Sequence, residues 1–230
     1  MTPFVLVPGL NCDARMYAGI ANAIWPHGSV TIASHLVGTT MAEIAATILA
    51  AAPPAFGLAG FSMGGYIAFE MLRQAPDRVT KLALLDTTAR PDTAEATENR
   101  RRLIALAEKG RFLEAFDTTH PKSVHPDNAG NEDIYAVNRG MAEAVGPERY
   151  VIHQRAIISR VDSRPDLAGI KVPTLVLVGE GDQITPPDAA KEMHQGIAGS
   201  RLAVIPRAGH MSPIEQPGAV QSSMRDWAAV

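Results

Sequence analysis

Short apolar runs alternate with helix-like segments over most of the chain, and this alternation restricts the fold more than any other feature. The runs cover residues 4–7, 30–33, 55–59, 81–85, 174–178 and 202–205, and segments with helical spacing follow them. Strands that are apolar along their whole length are typical of parallel sheets, because crossover helices cover both faces. The sequence therefore predicts an α/β fold with a mostly parallel, doubly wound sheet.

Length and charge limit the possible classes. At 230 residues and 46% hydrophobic content, the chain is long enough for one well-filled domain and too short for two of ordinary size. The net charge of −3 comes from acidic and basic residues mixed along the chain, so no footprint for nucleic acid or an anionic membrane is present. The one basic cluster, Arg100-Arg101-Arg102, lies in a helical pattern and is interpreted as a solvated face.

The N-terminal segment and the cysteine content indicate where the protein resides. The segment from Thr2 to Leu10 has no charged leader and reaches a Pro-Gly turn quickly, which indicates a buried strand and not a signal peptide. No apolar run approaches the roughly 18 residues needed to span a bilayer. A single cysteine, Cys12, excludes an internal disulfide framework. We expect a soluble cytoplasmic protein.

The strand–helix alternation lapses between about Arg90 and Asp166, where the pattern indicates helices only. We expect residues 1–89 and 167–230 to form the core, and residues 90–166 to form an inserted helical cap over the carboxyl ends of the strands. The alternating charges from Arg160 to Asp166 are interpreted as a structural lock between the end of this cap and the core.

The pentapeptide Gly60-Phe61-Ser62-Met63-Gly64 lies between an apolar run and a helix-like stretch. A serine on a sharp strand-to-helix turn has its hydroxyl exposed above the sheet edge, and the strained turn requires small neighbours. A further glycine, Gly65, lets the helix start close to adjacent strands. This context predicts that Ser62 is a nucleophile.

A serine hydroxyl needs a base within hydrogen-bond reach and an acid that orients the base. Asp182 follows the strand at 174–178 and His210 follows the strand at 202–205, so both are expected at the same sheet edge as Ser62. Asp86, also at the end of a strand, remains an alternative for the acid. Glu180 is a weaker alternative, since at that spacing it is expected to face solvent.

Four motifs in order resemble the α/β-hydrolase superfamily, and more closely its small-cap esterase branch that includes pimeloyl-ACP methyl ester esterases. They cover nearly the whole chain and are Leu6-Val7-Pro8-Gly9, the stretch Gly60 to Gly65, the stretch Pro173 to Pro186, and the stretch Gly209 to Pro217. The resemblance implies Ser62 as nucleophile, His210 as general base and acid, and Asp182 as the orienting acid.

The resemblance also implies that the backbone N–H groups of Met63 and Leu10 form the oxyanion hole. Many relatives carry His-Gly before the second donor, whereas this chain carries Pro8-Gly9. Because the donor is a backbone group, the difference is expected to change the rigidity of the turn more than the chemistry.

The predicted cap is rich in aliphatic residues, which indicates an apolar cleft for short or medium acyl esters. Helical spacing gives candidate substrate contacts, although simple packing explains the same pattern: Phe112, Phe116, Ile134, Val137, Met141 and Ile157. The other histidines are interpreted as structural or surface residues, and no metal or cofactor is assigned.

The sequence therefore predicts a serine carboxylesterase that acts on a small-molecule ester through an acyl-enzyme. A perhydrolase or acyltransferase with the same triad stays open, as does a small-molecule receptor on a hydrolase scaffold with negligible turnover. The oligomeric state is also left open.

Overall fold

The computed structural model describes residues 1–230 and contains one six-stranded, fully parallel sheet in the order β2-β1-β3-β4-β5-β6. The strands are β1 (Phe4–Val7), β2 (Val30–Ile32), β3 (Phe56–Phe61), β4 (Val79–Leu85), β5 (Thr174–Gly179) and β6 (Arg201–Ile205). Every residue of β1, β3 and β5 is buried, as expected for strands covered on both faces. The predicted fold class is confirmed.

Ten α-helices connect and cover the strands, with short 3₁₀ turns between some of them. They are α1 (Ala18–Ile24), α2 (Met41–Ala51), α3 (Met63–Gln74), α4 (Ala94–Glu108), α5 (Phe112–Ser123), α6 (Glu132–Val145), α7 (Pro147–Ile158), α8 (Pro187–Gly196), α9 (Ser212–Glu215) and α10 (Pro217–Ala229). No helix is long and apolar enough to cross a membrane.

The two faces of the sheet support two separate apolar cores. Successive residues of a strand point to opposite faces, so Val5 and Val7 belong to one core while Phe4 and Leu6 belong to the other. The first core lies against α2 and α3, and the second lies against α1 and α10. Burial on both faces explains why the strands are apolar throughout and do not alternate with polar residues.

Four helices, α4 to α7, lie in sequence between β4 and β5; we call residues 90–166 the helical insertion. The insertion has an apolar cluster of its own, which includes Phe112, Phe116 and Tyr150. Leu10, from the turn after β1, packs against this cluster and also against the first sheet core. The turn after β1 therefore lies where the insertion meets the core.

Candidate active site

Ser62 lies at the sharp turn between β3 and α3, with φ of 52° and ψ of −115°. A positive φ is strained for a residue with a Cβ and costs about 1–3 kcal/mol. Hydrogen bonds hold both sides of the residue: its N–H donates to Leu85 O at 2.9 Å, and its carbonyl accepts from Thr87 Oγ1 at 2.8 Å. The end of β4 thus fixes the strained backbone.

The glycines around Ser62 permit close approach. A Cβ at Gly60 would overlap the carbonyl oxygen of Gly64, and a Cβ at Gly64 would overlap the carbonyl oxygen of Val7 at the end of β1. At Gly65, a Cβ would overlap the side chain of Thr87. The first turn of α3 is therefore pressed between the ends of β1 and β4, which is the context the pentapeptide predicts.

Ser62, His210 and Asp182 form a continuous hydrogen-bonded series. Ser62 Oγ lies 2.8 Å from His210 Nε2, and His210 Nδ1 lies 2.8 Å from Asp182 Oδ2. His210 and Asp182 are both buried, while Ser62 is partly exposed. The Phe61 ring packs against the imidazole, with the ring centroids 5.3 Å apart. This arrangement suits transfer of a proton from a serine hydroxyl to an imidazole beside a fixed carboxylate.

Thr185 helps to hold the Asp182 carboxylate, a contact that sequence reasoning missed. The N–H groups of Ile184 and Thr185 donate to Asp182 Oδ1 at 2.8 and 2.9 Å, and Thr185 Oγ1 donates to Oδ2 at 2.7 Å. Burial acts to raise the pKa of Asp182, but the attraction of His210 and these hydrogen bonds outweigh it and lower the pKa. In the sequence, the only signal for this contact is a threonine three residues after the aspartate.

Asp86 lies at the end of β4 and does not contact the imidazole in hydrogen-bond geometry. Its Oδ1 accepts from the N–H of Gly179 at 2.8 Å, and its Oδ2 lies 2.5 Å from Ser212 Oγ. Full burial, followed by repulsion from Asp182, raises the pKa of this carboxyl well above its usual value. Asp86 therefore joins the end of β5 to the helix that follows His210.

The two predicted oxyanion donors lie on adjacent turns. Met63 is the first residue of α3, so its N–H has no acceptor within the helix. The N–H of Leu10 has no hydrogen-bond partner within the chain. The contacts of Gly64 with Val7 and Pro8 bring these two turns together. Both donors are thus free beside the Ser62 turn.

The Glu215 carboxylate bonds to both the His210 loop and the helical insertion. One oxygen accepts from the N–H of Gly209 at 2.8 Å. The other accepts from the N–H of His125 at 2.6 Å and from Asn128 Nδ2 at 2.8 Å. The N–H of Met211 also donates to Ser123 O at 2.9 Å. We call these bonds the Glu215 clasp. Its partners in the insertion, His125 and Asn128, lie 90 and 87 residues before Glu215 in the sequence, so no local pattern indicates the clasp.

The six predicted substrate contacts take different positions in the insertion. Phe112 and Phe116 lie in its own apolar cluster, whereas Met141 is fully buried in the second sheet core and Ile157 in the first. Ile134 packs against the second core from a partly buried position. Val137 is 37% exposed. Packing occupies most of these side chains.

Neither Cys12 nor a metal cluster adds chemistry to the site. Burial raises the pKa of the Cys12 thiol to about 12, so the thiol is not a nucleophile at neutral pH. No group of three or more histidine, cysteine or carboxylate side chains is placed to hold a metal ion. Among the remaining histidines, which the sequence indicates as structural or surface residues, His35, His120 and His153 are buried.

Comparison with known proteins identifies one family and relatives with a shared name. A family model described as the alpha/beta hydrolase fold matches residues 27–217. The pimeloyl-[acyl-carrier protein] methyl ester esterase of Neisseria meningitidis serogroup B is 28% identical over 242 residues, which cover 96% of this chain and 91% of that protein. The protein of the same name from Nitrosospira multiformis is 32% identical over 174 residues, which cover 72% of this chain and 65% of that one.

Two solved structures resemble the whole chain. A thermophilic esterase from Thermogutta terrifontis has a TM-score of 0.87 and 31% identity, and the match covers 100% of this chain and 90% of that one. The enol-lactonase from Burkholderia xenovorans has a TM-score of 0.87 and 25% identity over 100% of this chain and 92% of that one. These matches confirm the resemblance predicted from the four motifs: the chain belongs to the α/β-hydrolase superfamily.

Proposed function

We propose that the protein is a serine hydrolase that cleaves carboxylic esters of small to medium apolar acyl groups. The observation that carries this proposal is the series of 2.8 Å contacts from Ser62 Oγ through His210 to Asp182. The esterase names of several relatives support it. In this proposal Ser62 attacks the acyl carbon, and the alcohol leaves as an acyl-enzyme forms.

His210 takes the proton of Ser62 during the attack and returns it to the leaving alcohol. The Asp182 carboxylate accepts from His210 Nδ1, which leaves Nε2 free as the base, and it stabilises the imidazolium that forms. Water then repeats the cycle on the acyl-enzyme and releases the acid. The lowered pKa of Asp182 supports this role, because the carboxylate stays charged at neutral pH.

The N–H groups of Leu10 and Met63 bind the oxyanion in this proposal. Loss of one such donor typically costs 10²- to 10³-fold in kcat. Both donors are backbone groups on turns fixed by close packing, so little reorganisation is needed when the charge develops. The helical insertion serves as the cap, and the aliphatic side chains of its inner face exclude water from the acyl group.

Replacement of Ser62 by alanine tests the proposal. We expect Ser62→Ala to reduce hydrolysis of p-nitrophenyl butyrate by at least about 10³-fold, because the covalent route is lost, while the circular dichroism spectrum stays unchanged. A fluorophosphonate probe should label the unmodified protein at Ser62, as mapped by mass spectrometry, and should not label the variant.

Turnover retained in Ser62→Ala would contradict the proposal. One equivalent of p-nitrophenol released in a burst, with no steady turnover, would instead favour a receptor in which the triad captures its ligand.

A further inference from the structure

A buried polar pair lies inside the helical insertion. His120 of α5 and Asn138 of α6 are 4% and 3% exposed, and His120 Nε2 lies 3.4 Å from Asn138 Nδ2. Their surroundings are aromatic: the His120 ring centroid is 5.5 Å from that of Phe116 and 5.0 Å from that of Tyr135. Two polar side chains thus occupy a region that is otherwise apolar.

The oxygen of the Asn138 amide, Oδ1, is buried and has no hydrogen-bond partner. Leaving such a group unpaired is destabilising, and most buried polar atoms in native proteins are paired. The other buried amide of the insertion, Gln154, is paired at both ends: Oε1 accepts from Arg100 Nη1 at 2.7 Å, and Nε2 donates to Tyr150 Oη at 2.8 Å. The amide of Gln154 is thus fully paired, whereas the amide oxygen of Asn138 has no partner.

The buried face of α5 places His120 between two contacts that α5 makes near the Ser62 turn. One turn before His120, Phe116 lies in the cluster that packs against Leu10. One turn after it, Ser123 O accepts from Met211 at 2.9 Å, and the backbone of Val124 lies against Gly209. His120 is midway between these contacts. His120 therefore lies on the helix face that runs from the cluster against Leu10 to the His210 loop, the two regions that flank Ser62, and Asn138 lies beside it.

We propose that His120 and Asn138 form a polar subsite that binds a hydroxyl group on the acyl chain of the substrate. This proposal rests on the proposed esterase function and adds the substrate class, hydroxyacyl esters. A hydroxyl donates to Asn138 Oδ1 and supplies the missing hydrogen bond.

Other substituents fit the pair less well. Burial lowers the pKa of His120, so the imidazole is neutral at neutral pH and offers no positive charge to a carboxylate. An amide oriented the opposite way presents its NH₂ group at the same place, and a hydroxyl, which both donates and accepts, pairs with either orientation. A plain alkyl chain leaves the amide unpaired.

The test compares kcat/KM for the p-nitrophenyl esters of hexanoate, 3-hydroxyhexanoate and 6-hydroxyhexanoate. We expect the unmodified protein to prefer one hydroxyl ester to the plain ester by about tenfold, since a site with a buried unpaired acceptor discriminates against an analogue without the donor. Asn138→Leu, a near-isosteric change, should abolish this ratio and raise kcat/KM for the plain ester.

Tyr135→Phe is the matched control. The Tyr135 hydroxyl donates to Asp117 at 2.7 Å on the exposed side of the insertion, while its ring contacts His120. The control should keep the preference of the unmodified protein. A hydroxyl-to-plain ratio near one in the unmodified protein, or an equal loss of the preference in Tyr135→Phe, would overturn the subsite.

These outcomes separate the subsite from the esterase function. If the unmodified protein hydrolyses plain hexanoate readily and shows no preference, only the subsite fails. If it hydrolyses none of the three esters and Ser62 resists the fluorophosphonate probe, the proposed function fails. Thermal unfolding of Asn138→Leu checks that the variant is folded, and the ratio in the unmodified protein decides the question without any variant.

Discussion

Asp86 and Asp182 lie at the ends of neighbouring strands, yet their surroundings shift their pKa values in opposite directions. Asp182 is bonded to an imidazole and to three other donors, and its pKa is lowered on balance. Asp86 is fully buried with only Gly179 and Ser212 as partners, and its pKa is raised. Of the two carboxyl groups, only that of Asp182 contacts His210.

Asparagine substitutions test which of the two aspartates acts on His210. Asp182→Asn should lower kcat for p-nitrophenyl butyrate by about 10³- to 10⁴-fold, because an amide neither fixes the correct tautomer nor stabilises the imidazolium. Asp86→Asn should change kcat less than about threefold, since Asp86 does not contact His210 and an amide can still bond to the Gly179 N–H and the Ser212 hydroxyl. Comparable losses in both variants, measured with intact folding, would contradict the assignment of Asp182 alone as the acid that orients His210.

Single residues show where prediction from sequence succeeds and where it stops. Ser62 was predictable because a local turn with its own glycines defines it. The sequence favoured Asp182 over Asp86 through its place in the motif order but left Asp86 open, since both follow strands; in the structure only Asp182 lies 2.8 Å from His210. Glu215 was quoted within a motif, but its function depends on partners in another part of the chain.

Among the structural elements, the two ends of the helical insertion are joined to each other by a buried ion network. The Asp92 carboxylate, near the start of the insertion, binds the guanidinium of Arg160 near its end and Arg100 Nε at 2.7 Å. Arg160 also donates to Arg90 O at 3.0 Å and lies 4.3 Å from the centroid of the Tyr66 ring.

The charges predicted to lock the exit of the insertion thus divide into two kinds. Arg160 joins the buried network, and Asp166 pairs with Arg73 on the core at 2.7 Å. Asp162 and Arg164 pair with each other near solvent and bind nothing on the core.

Neutralisation of Asp92 tests the network. Its side chain is only 4% exposed, so Asp92→Asn leaves two guanidinium groups without a buried counter-charge. We expect the free energy of unfolding, measured in urea, to fall by about 3–5 kcal/mol. Asp162→Asn is the control, since its exposed pair contributes little to stability. Equal effects of the two substitutions would contradict the buried network.

Element types were predictable, and the boundaries differ for physical reasons. Periodicity predicted every strand within two residues at each end. Proline is typical of positions where a helix ends, yet α5 runs past Pro121 to Ser123. A proline this close to the C-terminal end removes only one backbone hydrogen bond, and the packing of Val124 against the His210 loop outweighs that loss.

For the molecule as a whole, a stacked histidine pair links the core to the insertion. The rings of His35, after β2, and His153, in α7, have centroids 4.9 Å apart at an interplanar angle of 18°. Burial and then repulsion from His153 lower the pKa of His35 to about 3, with Arg149 adding to the effect. Burial lowers the pKa of His153 to about 4. Both rings are thus neutral in the folded protein at neutral pH.

This pair makes global stability depend on pH. The unfolded chain binds protons at both imidazoles near pH 6.5, whereas the folded protein does so only near pH 3 and 4. Stability should therefore fall as the pH drops below about 6.5, by about 2 kcal/mol per imidazole at pH 5. Urea unfolding between pH 7 and 5 measures this slope.

His153→Gln should flatten the pH dependence of unfolding, while His27→Gln, on a surface turn, should leave it unchanged. An unaltered slope in His153→Gln would show that the pair does not titrate in this way. Neither the stacking nor its effect on stability was predictable from sequence. The two histidines are 118 residues apart, and no local motif relates them.

The Glu215 clasp has a consequence for exchanging insertions among members of the superfamily. Its carboxylate holds the backbone of Gly209, next to the imidazole, through the same group that binds residues 125 and 128. A foreign insertion grafted between β4 and β5 must present one backbone N–H and one side-chain amide at those two places. A graft that lacks them leaves the Glu215 carboxylate, which holds the residue next to His210, short of hydrogen bonds. Transplanting an insertion to change specificity would then alter the reaction rate for every substrate.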